Sequence, residues 1–235
     1  MKTFNLYVAS IALLLPLSLF AQTAAVTAPL VTAKIQQVMT PAQALTRLQA
    51  GNKRYLNHEQ LQSNYIKKAE LTVAGQHPAA VVLSCIDARV PPEIIFDQGV
   101  GNIFVTRVAA NVINPDVLGG MEYATAVTGS KLIVVMGHDS CGAVKGACDK
   151  VKLGHLTQLL DKIHPAIEQA SKSMHTTNCK NPAYINTIAK DNVMNVVREI
   201  PEQSPIIKSL VKQGKIKIIG AMYHLDTGKV SFFSQ

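Results

Sequence analysis

The sequence predicts an α/β domain: a mostly parallel β-sheet flanked by helices, with an antiparallel edge strand. Three observations carry this. Short β-branched apolar runs at 79–84, 103–106 and 131–137 alternate with longer segments of helical spacing, the pattern of strands joined by crossover helices. Two further runs, 215–221 and 229–233, flank the turn Asp226-Thr227-Gly228 and pair as neighbours. At 48% hydrophobic and 16% charged residues, the chain can bury the core of one domain of this length.

Taken in order, Met1-Lys2 and the apolar stretch 8–20 read as a secretory signal peptide over 1–21. Pro16 interrupts that stretch, which is short for a membrane span, and small residues (Ala21, Ala24, Ala25) follow it. Cleavage is expected between residues 21 and 25, and no Cys follows the apolar run to carry a lipid anchor. The mature chain is therefore expected outside the cytoplasm, in a bacterial periplasm, without stable membrane association. Residues 22–39 form a linker or an N-terminal arm whose short helix would embrace a partner subunit, and 40–235 form the single domain.

Thr40-Pro41 caps a helix whose apolar face is Ala44, Leu45 and Leu48, ending between Gly51 and Tyr55. A strand follows at 79–84, then Val90-Pro91-Pro92 breaks the chain before a helical turn at 93–97. The strand at 103–106 leads to a helix over 116–128, and 131–137 is the central buried strand. The helix over 141–150 carries small residues (Gly142, Ala143, Gly146, Ala147) that permit close packing, and further helices are expected at 156–171, 185–200 and 205–213.

The formal net charge is +8, but the lysines are scattered (Lys67-Lys68, Lys150, Lys152, 212–217) and there is no Trp or aromatic-interleaved basic stripe. Nucleic-acid binding is not expected. The charge reads as solvated surface that also attracts small anions.

The chemistry lies in Cys85-Ile86-Asp87-Ala88-Arg89 and His138-Asp139-Ser140-Cys141, each directly after an apolar run. Two thiolates and an imidazole are the donors of a tetrahedral Zn²⁺ site, placed at the carboxyl ends of two strands, where open α/β sheets carry their chemistry. Three protein ligands leave one position open. A structural zinc takes four ligands at paired short spacings, and no second C-x-x-C is present. Asp87 and Arg89 project to the same side as Cys85 and can form a bidentate ion pair. The remaining cysteines, Cys148 and Cys179, are read as two unpaired thiols with Cys148 buried on a helix; a disulfide in an oxidising compartment is the alternative.

At C-x-D-x-R, at the H-x-x-C-G-A run 138–143 and at the intervening Phe104-Val105-Thr106-Arg107-Val108-Ala109-Ala110-Asn111, the sequence resembles the β-class carbonic anhydrases. The likeness extends from about Thr40 to Phe233. The resemblance implies a lyase, a carbonate dehydratase that hydrates CO2 reversibly to bicarbonate and a proton by a zinc-bound hydroxide. It implies one Zn²⁺ per subunit on Cys85, His138 and Cys141, and a homodimer often paired into a tetramer.

It further implies that Asp87, held by Arg89, accepts a hydrogen bond from the hydroxide, and that Gln76 bonds a substrate oxygen. Phe104 and Tyr123 would line the apolar pocket, in part across the dimer interface, and Gly142 would let the chain pass the metal as a helix starts. In a closed state Asp87 would become the fourth zinc ligand. His77 is either a proton relay or an exposed bystander.

Some members bind regulatory bicarbonate with a Trp three residues before the first zinc Cys, an Arg and a Tyr. Here that position is Val82, and Arg107 with Tyr223 does not complete the site, so bicarbonate regulation is expected to be weak or absent. Two alternatives remain. One is a zinc hydrolase of the same fold acting on carbon disulfide. The other is a non-catalytic zinc protein, which would need four fixed protein ligands and no Asp87, Arg89 or Gln76.

Overall fold

A computed structural model describes residues 29–233; the expected signal peptide at 1–21 and its cleavage region lie outside them. Among the described residues five strands form one sheet: β1 (Ala80–Ser84), β2 (Ile103–Arg107), β3 (Leu132–His138), β4 (Lys217–Tyr223) and β5 (Val230–Phe233). Their order is β2-β1-β3-β4-β5; β5 alone runs antiparallel to its neighbour, pairing Tyr223 with Val230 across the turn. The parallel pairs are joined by helical crossovers, which cover both faces.

Alternation along the strands divides the core in two. Val81, Leu83, Ile133 and Val135 face α5 (Pro115–Glu122), α6 (Gly142–Cys148), α8 (His164–Met174) and α9 (Pro182–Gln203). Ala80, Val82, Leu132 and Val134 face α2 (Pro41–Leu56) and α4 (Pro92–Ile95). The 22-residue α9 lies against β3 and β4. A Cβ on Gly137 would meet Val193 Cγ2 of α9 at 2.7 Å, so glycine permits that close approach next to His138.

Several boundaries differ from the sequence-based expectation. The helix expected at 156–171 is two, α7 (Gly154–Asp161) and α8, because Pro165 lacks an N–H and opens a new first turn instead of continuing the old one. The helix at 116–128 is α-helical only to Glu122, and Tyr123–Val127 continue as a π-helical turn. The helix expected at 185–200 starts at Pro182, capped by Asn181, and runs to Gln203. Tyr65–Leu71 form a helix, α3, that was not expected, since its one buried residue is Lys68 and it has no apolar stripe to reveal it. The last helix, α10 (Pro205–Lys212), is as expected to within one residue.

The described part of the arm carries α1 (Ala33–Val38), which lies on its own subunit: Val31 N–H donates to Asn102 Oδ1 at 2.8 Å and Gln36 Nε2 to the Pro78 carbonyl at 2.8 Å. No described helix is long and apolar enough to cross a membrane.

The reading of Cys148 and Cys179 as free thiols is corrected: they form a disulfide with Cα atoms 5.8 Å apart. Packing of α6 against α8 and α9 brings the end of α6 to the loop before α9, a closeness that a separation of 31 residues does not disclose.

Candidate metal centre

The register Ser84↔Met136 puts Cys85 beside Gly137, one residue from His138, at the carboxyl ends of β1 and β3. The chain then turns through Ser140, which adopts a left-handed conformation (φ 54°), and returns Cys141 toward His138. The three donor atoms lie within 4.8 Å of one another, on residues only 4%, 1% and 2% exposed. The two sulfurs are 4.0 Å apart. That is far from a disulfide but close to the roughly 3.8 Å separating two thiolates on one tetrahedral zinc with bonds of about 2.3 Å.

The imidazole orientation is settled by its neighbour. His138 Nδ1 lies 2.8 Å from the Asp139 carbonyl, which can only accept, so Nδ1 carries the hydrogen and Nε2 has the lone pair. Nε2 is buried and has no hydrogen-bond partner among the described residues. A buried orphan acceptor between two thiols is what a metal ligand looks like without its ion, so the donor set fits Zn²⁺.

Hydrogen bonding with Cys141 draws the Cys85 thiol down to about 4, against the effect of burial and helped by His138 and the Asp87 and Ala110 N–H groups. The same pairing, with burial, pushes Cys141 up, so the metal-free thiols share a proton that a divalent cation would displace. Burial, the largest single influence, opposes charging of His138, but the Cys85 thiolate, the Asp139 carbonyl and the Asp87 carboxylate together raise its pKa.

Asp87 stands at the edge of this cluster, its Oδ2 3.8 Å from His138 Nε2. Arg89 holds both carboxylate oxygens: Nε donates to Oδ1 at 2.9 Å, Nη2 to Oδ2 at 2.8 Å, and the Arg89 N–H to Oδ1 at 3.0 Å. The guanidinium keeps the Asp87 carboxyl well below the usual carboxylate range. Arg89 is exposed and Asp87 mostly covered, so the pair lies where the buried cluster meets solvent.

Of the other candidate residues, Phe104 and Tyr123 come together edge to face with ring centroids 6.1 Å apart, Tyr123 half exposed. Gln76 is exposed in the loop before Pro78. Gly142 opens α6, and a Cβ there would meet no described atom within 4 Å; it borders a cavity of about 190 Å³ with Ser140, Lys145 and Asn186. Crowding by the protein is therefore not what calls for glycine at that position. A larger cavity of about 610 Å³, bordered by Ser63, Glu93, Asp97 and Gly99, contains none of the cluster.

Sequence reasoning missed the groups that hold the ligands. Ala110 N–H donates to Cys85 Sγ at 3.4 Å from a left-handed conformation (φ 54°), and buried Asn192 Nδ2 secures the Ala110 carbonyl at 2.8 Å. Arg107, noted only as part of an incomplete bicarbonate site, clamps the first ligand loop: Nε donates to the Cys85 carbonyl at 2.9 Å and Nη2 to the Asp87 carbonyl. Neither the φ values nor partners so distant in sequence leave a local signal.

Residues 80–230 match the family model described as carbonic anhydrase. Carbonic anhydrase 2 of Mycobacterium tuberculosis is 35% identical over 190 residues, covering 80% of this chain and 91% of its own. The carbonic anhydrase of Mycolicibacterium smegmatis is 35% identical over 200 residues, covering 83% and 94%. Among solved structures, the β-carbonic anhydrase CcaA superposes with a TM-score of 0.66 at 25% identity, covering 81% of this chain and 95% of that one. With the Cys85–His138–Cys141 cluster at the strand ends of this sheet, these matches show that the chain belongs to the β-carbonic anhydrase family.

Proposed function

We propose that this protein is a zinc-dependent carbonic anhydrase acting outside the cytoplasm, converting CO2 and water reversibly to bicarbonate and a proton. The observation that carries the reading is the buried His138 Nε2, unpartnered beside two thiols and next to an Asp87 pinned by Arg89. Cys85, His138 and Cys141 would hold a Zn²⁺, which when bound would supply Lewis acidity enough to lower the pKa of a coordinated water from about 15.7 to about 7.

Asp87 accepts a hydrogen bond from the attacking water and so directs its lone pair at CO2. Arg89 restrains Asp87, which must break three hydrogen bonds before it can turn onto the metal and close the site. Gln76 donates to a substrate oxygen, and Phe104 and Tyr123 supply an apolar slot, in part from a second subunit of a homodimer or tetramer. The half-exposed Tyr123 ring supports that sharing. Arg107, engaged with the Cys85 and Asp87 carbonyls, and Val82 in place of a Trp support weak or absent bicarbonate regulation. The Cys148–Cys179 disulfide, together with the signal peptide expected from the sequence, supports the periplasmic location.

Stopped-flow CO2 hydration by zinc-loaded protein tests the reading. Asp87→Asn is expected to keep its zinc and lose about a hundredfold or more in rate. Zinc-replete protein inactive between about pH 7 and pH 9 would overturn the proposal, and hydrolysis of carbon disulfide in its place would reassign the substrate.

A further inference from the structure

We propose that His224, steadied by Ser231, is a positioning residue for the metal centre, fixing Asp139 and through it the turn that carries His138 and Cys141. The inference rests on the metal-site reading above. β4 ends at Tyr223, directly opposite His138 in the β3–β4 ladder. Asp139 is tied there twice. Its N–H donates to the Tyr223 carbonyl at 3.1 Å, and its Oδ2 lies 2.8 Å from His224 Nδ1. An ionised carboxylate only accepts, so Nδ1 carries the hydrogen.

The other ring nitrogen, Nε2, lies 3.0 Å from Ser231 Oγ on β5. The His224 backbone is held as well, its N–H donating to the Lys229 carbonyl at 2.9 Å and its carbonyl accepting from Gly228 at 2.8 Å. The imidazole is thus fixed at both nitrogens and along its backbone.

Asp139 therefore faces two ways. Its side chain is bound to His224, and its backbone carbonyl takes the Nδ1 hydrogen of His138, the bond that leaves Nε2 free for a metal. The next residue, Ser140, is a non-glycine in the left-handed region, a conformation that costs of order 1–3 kcal/mol and persists only when its surroundings enforce it. Asn186 Oδ1 accepts the Ser140 N–H at 3.0 Å from the α9 side, and His224 holds the turn from the sheet side. With His224 removed, the turn keeps only its ties to the Tyr223 carbonyl and Asn186, which loosens the Asp139 carbonyl on Nδ1 and the placing of Cys141. The His224 side chain is one-third exposed, so its loss empties no core cavity.

The test compares His224→Ala, His224→Asn and His224→Gln with the wild-type chain. Zinc affinity is measured by competition with a chromophoric chelator, the Co²⁺-substituted absorption spectrum is recorded, and the metal-free proteins are melted. Alanine is expected to weaken zinc binding about tenfold, the lower end for a lost outer hydrogen bond to a ligand, and to shift the Co²⁺ bands. Asparagine, whose amide nitrogen takes the place of Nδ1, is expected to restore most of the affinity; glutamine, which matches Nε2, is not. All metal-free melting points should agree within a few degrees.

Unchanged affinity and spectrum in His224→Ala would overturn the proposal. So would an asparagine variant no better than alanine, or affinity losses that follow losses in metal-free stability. Wild-type protein that binds neither zinc nor cobalt would overturn the metal-site reading itself and this inference with it.

Discussion

Removing the Cys148–Cys179 disulfide should cost a large part of the stability while leaving the metal ligands untouched. The bond joins the last residue of α6 to the loop before α9 across a sequence separation of 31. In the chain-entropy model, closing a loop of 31 residues removes about 12 cal/mol/K from the unfolded state, or about 3.7 kcal/mol at 25 °C. For a domain of roughly 200 residues that corresponds to a fall in melting temperature of about 7–15 °C. Cys148→Ala, Cys179→Ala and the double variant should be unfolded in urea and followed by far-UV circular dichroism, since the chain has no Trp. Substitution rather than reduction leaves Cys85 and Cys141 unaltered. Because either change breaks the same bond, each single variant should lose about as much as the double, and the denaturant slope should rise as the unfolded chain expands. A double variant within about 1 kcal/mol of wild type, or single losses that add to the double, would refute the reasoning.

Three further outcomes are expected. Asn192→Asp replaces the donor to the Ala110 carbonyl with an acceptor, so urea unfolding should show a loss of about 1–3 kcal/mol and chelator competition about tenfold weaker zinc, as Ala110 N–H loses its aim at Cys85. Lys68 is buried with Nζ unpartnered among the described residues; burial, aided by Arg47, lowers its pKa from 10.5. Its charge therefore opposes folding below that lowered value, and the penalty fades as pH rises through it toward 10.5, so Lys68→Met should stabilise by about 1 kcal/mol at pH 7 and progressively less in alkali. Gly137→Ala sets a Cβ 2.7 Å from Val193 Cγ2 and should cost about 1–3 kcal/mol by thermal melting, with Val193→Ala in the same chain recovering part of the loss.

What was legible in the sequence was local. The apolar runs that became β1, β3 and most of β4 announce themselves because burial on both faces demands such residues; Cys85 directly follows β1, His138 closes β3 and Cys141 lies three residues beyond it. The Asp87–Arg89 pair is readable for the same reason, being two residues apart on one loop. The break at Pro165 was also local and available, whereas α3 had no apolar stripe to betray it.

By itself the sequence determined the sheet class, the three donors and the carboxylate beside them, because strand periodicity and short ligand spacing are properties of neighbouring residues. Only the tertiary structure decided that Cys148 meets Cys179, that Arg107 grips the Cys85 loop, and that Asn192 and His224 hold the metal-ligand turns from helix and sheet. These contacts join residues from 22 to 85 positions apart. They depend on how helices pack across the sheet, and no periodicity along the chain encodes which distant side chain arrives at a given backbone carbonyl.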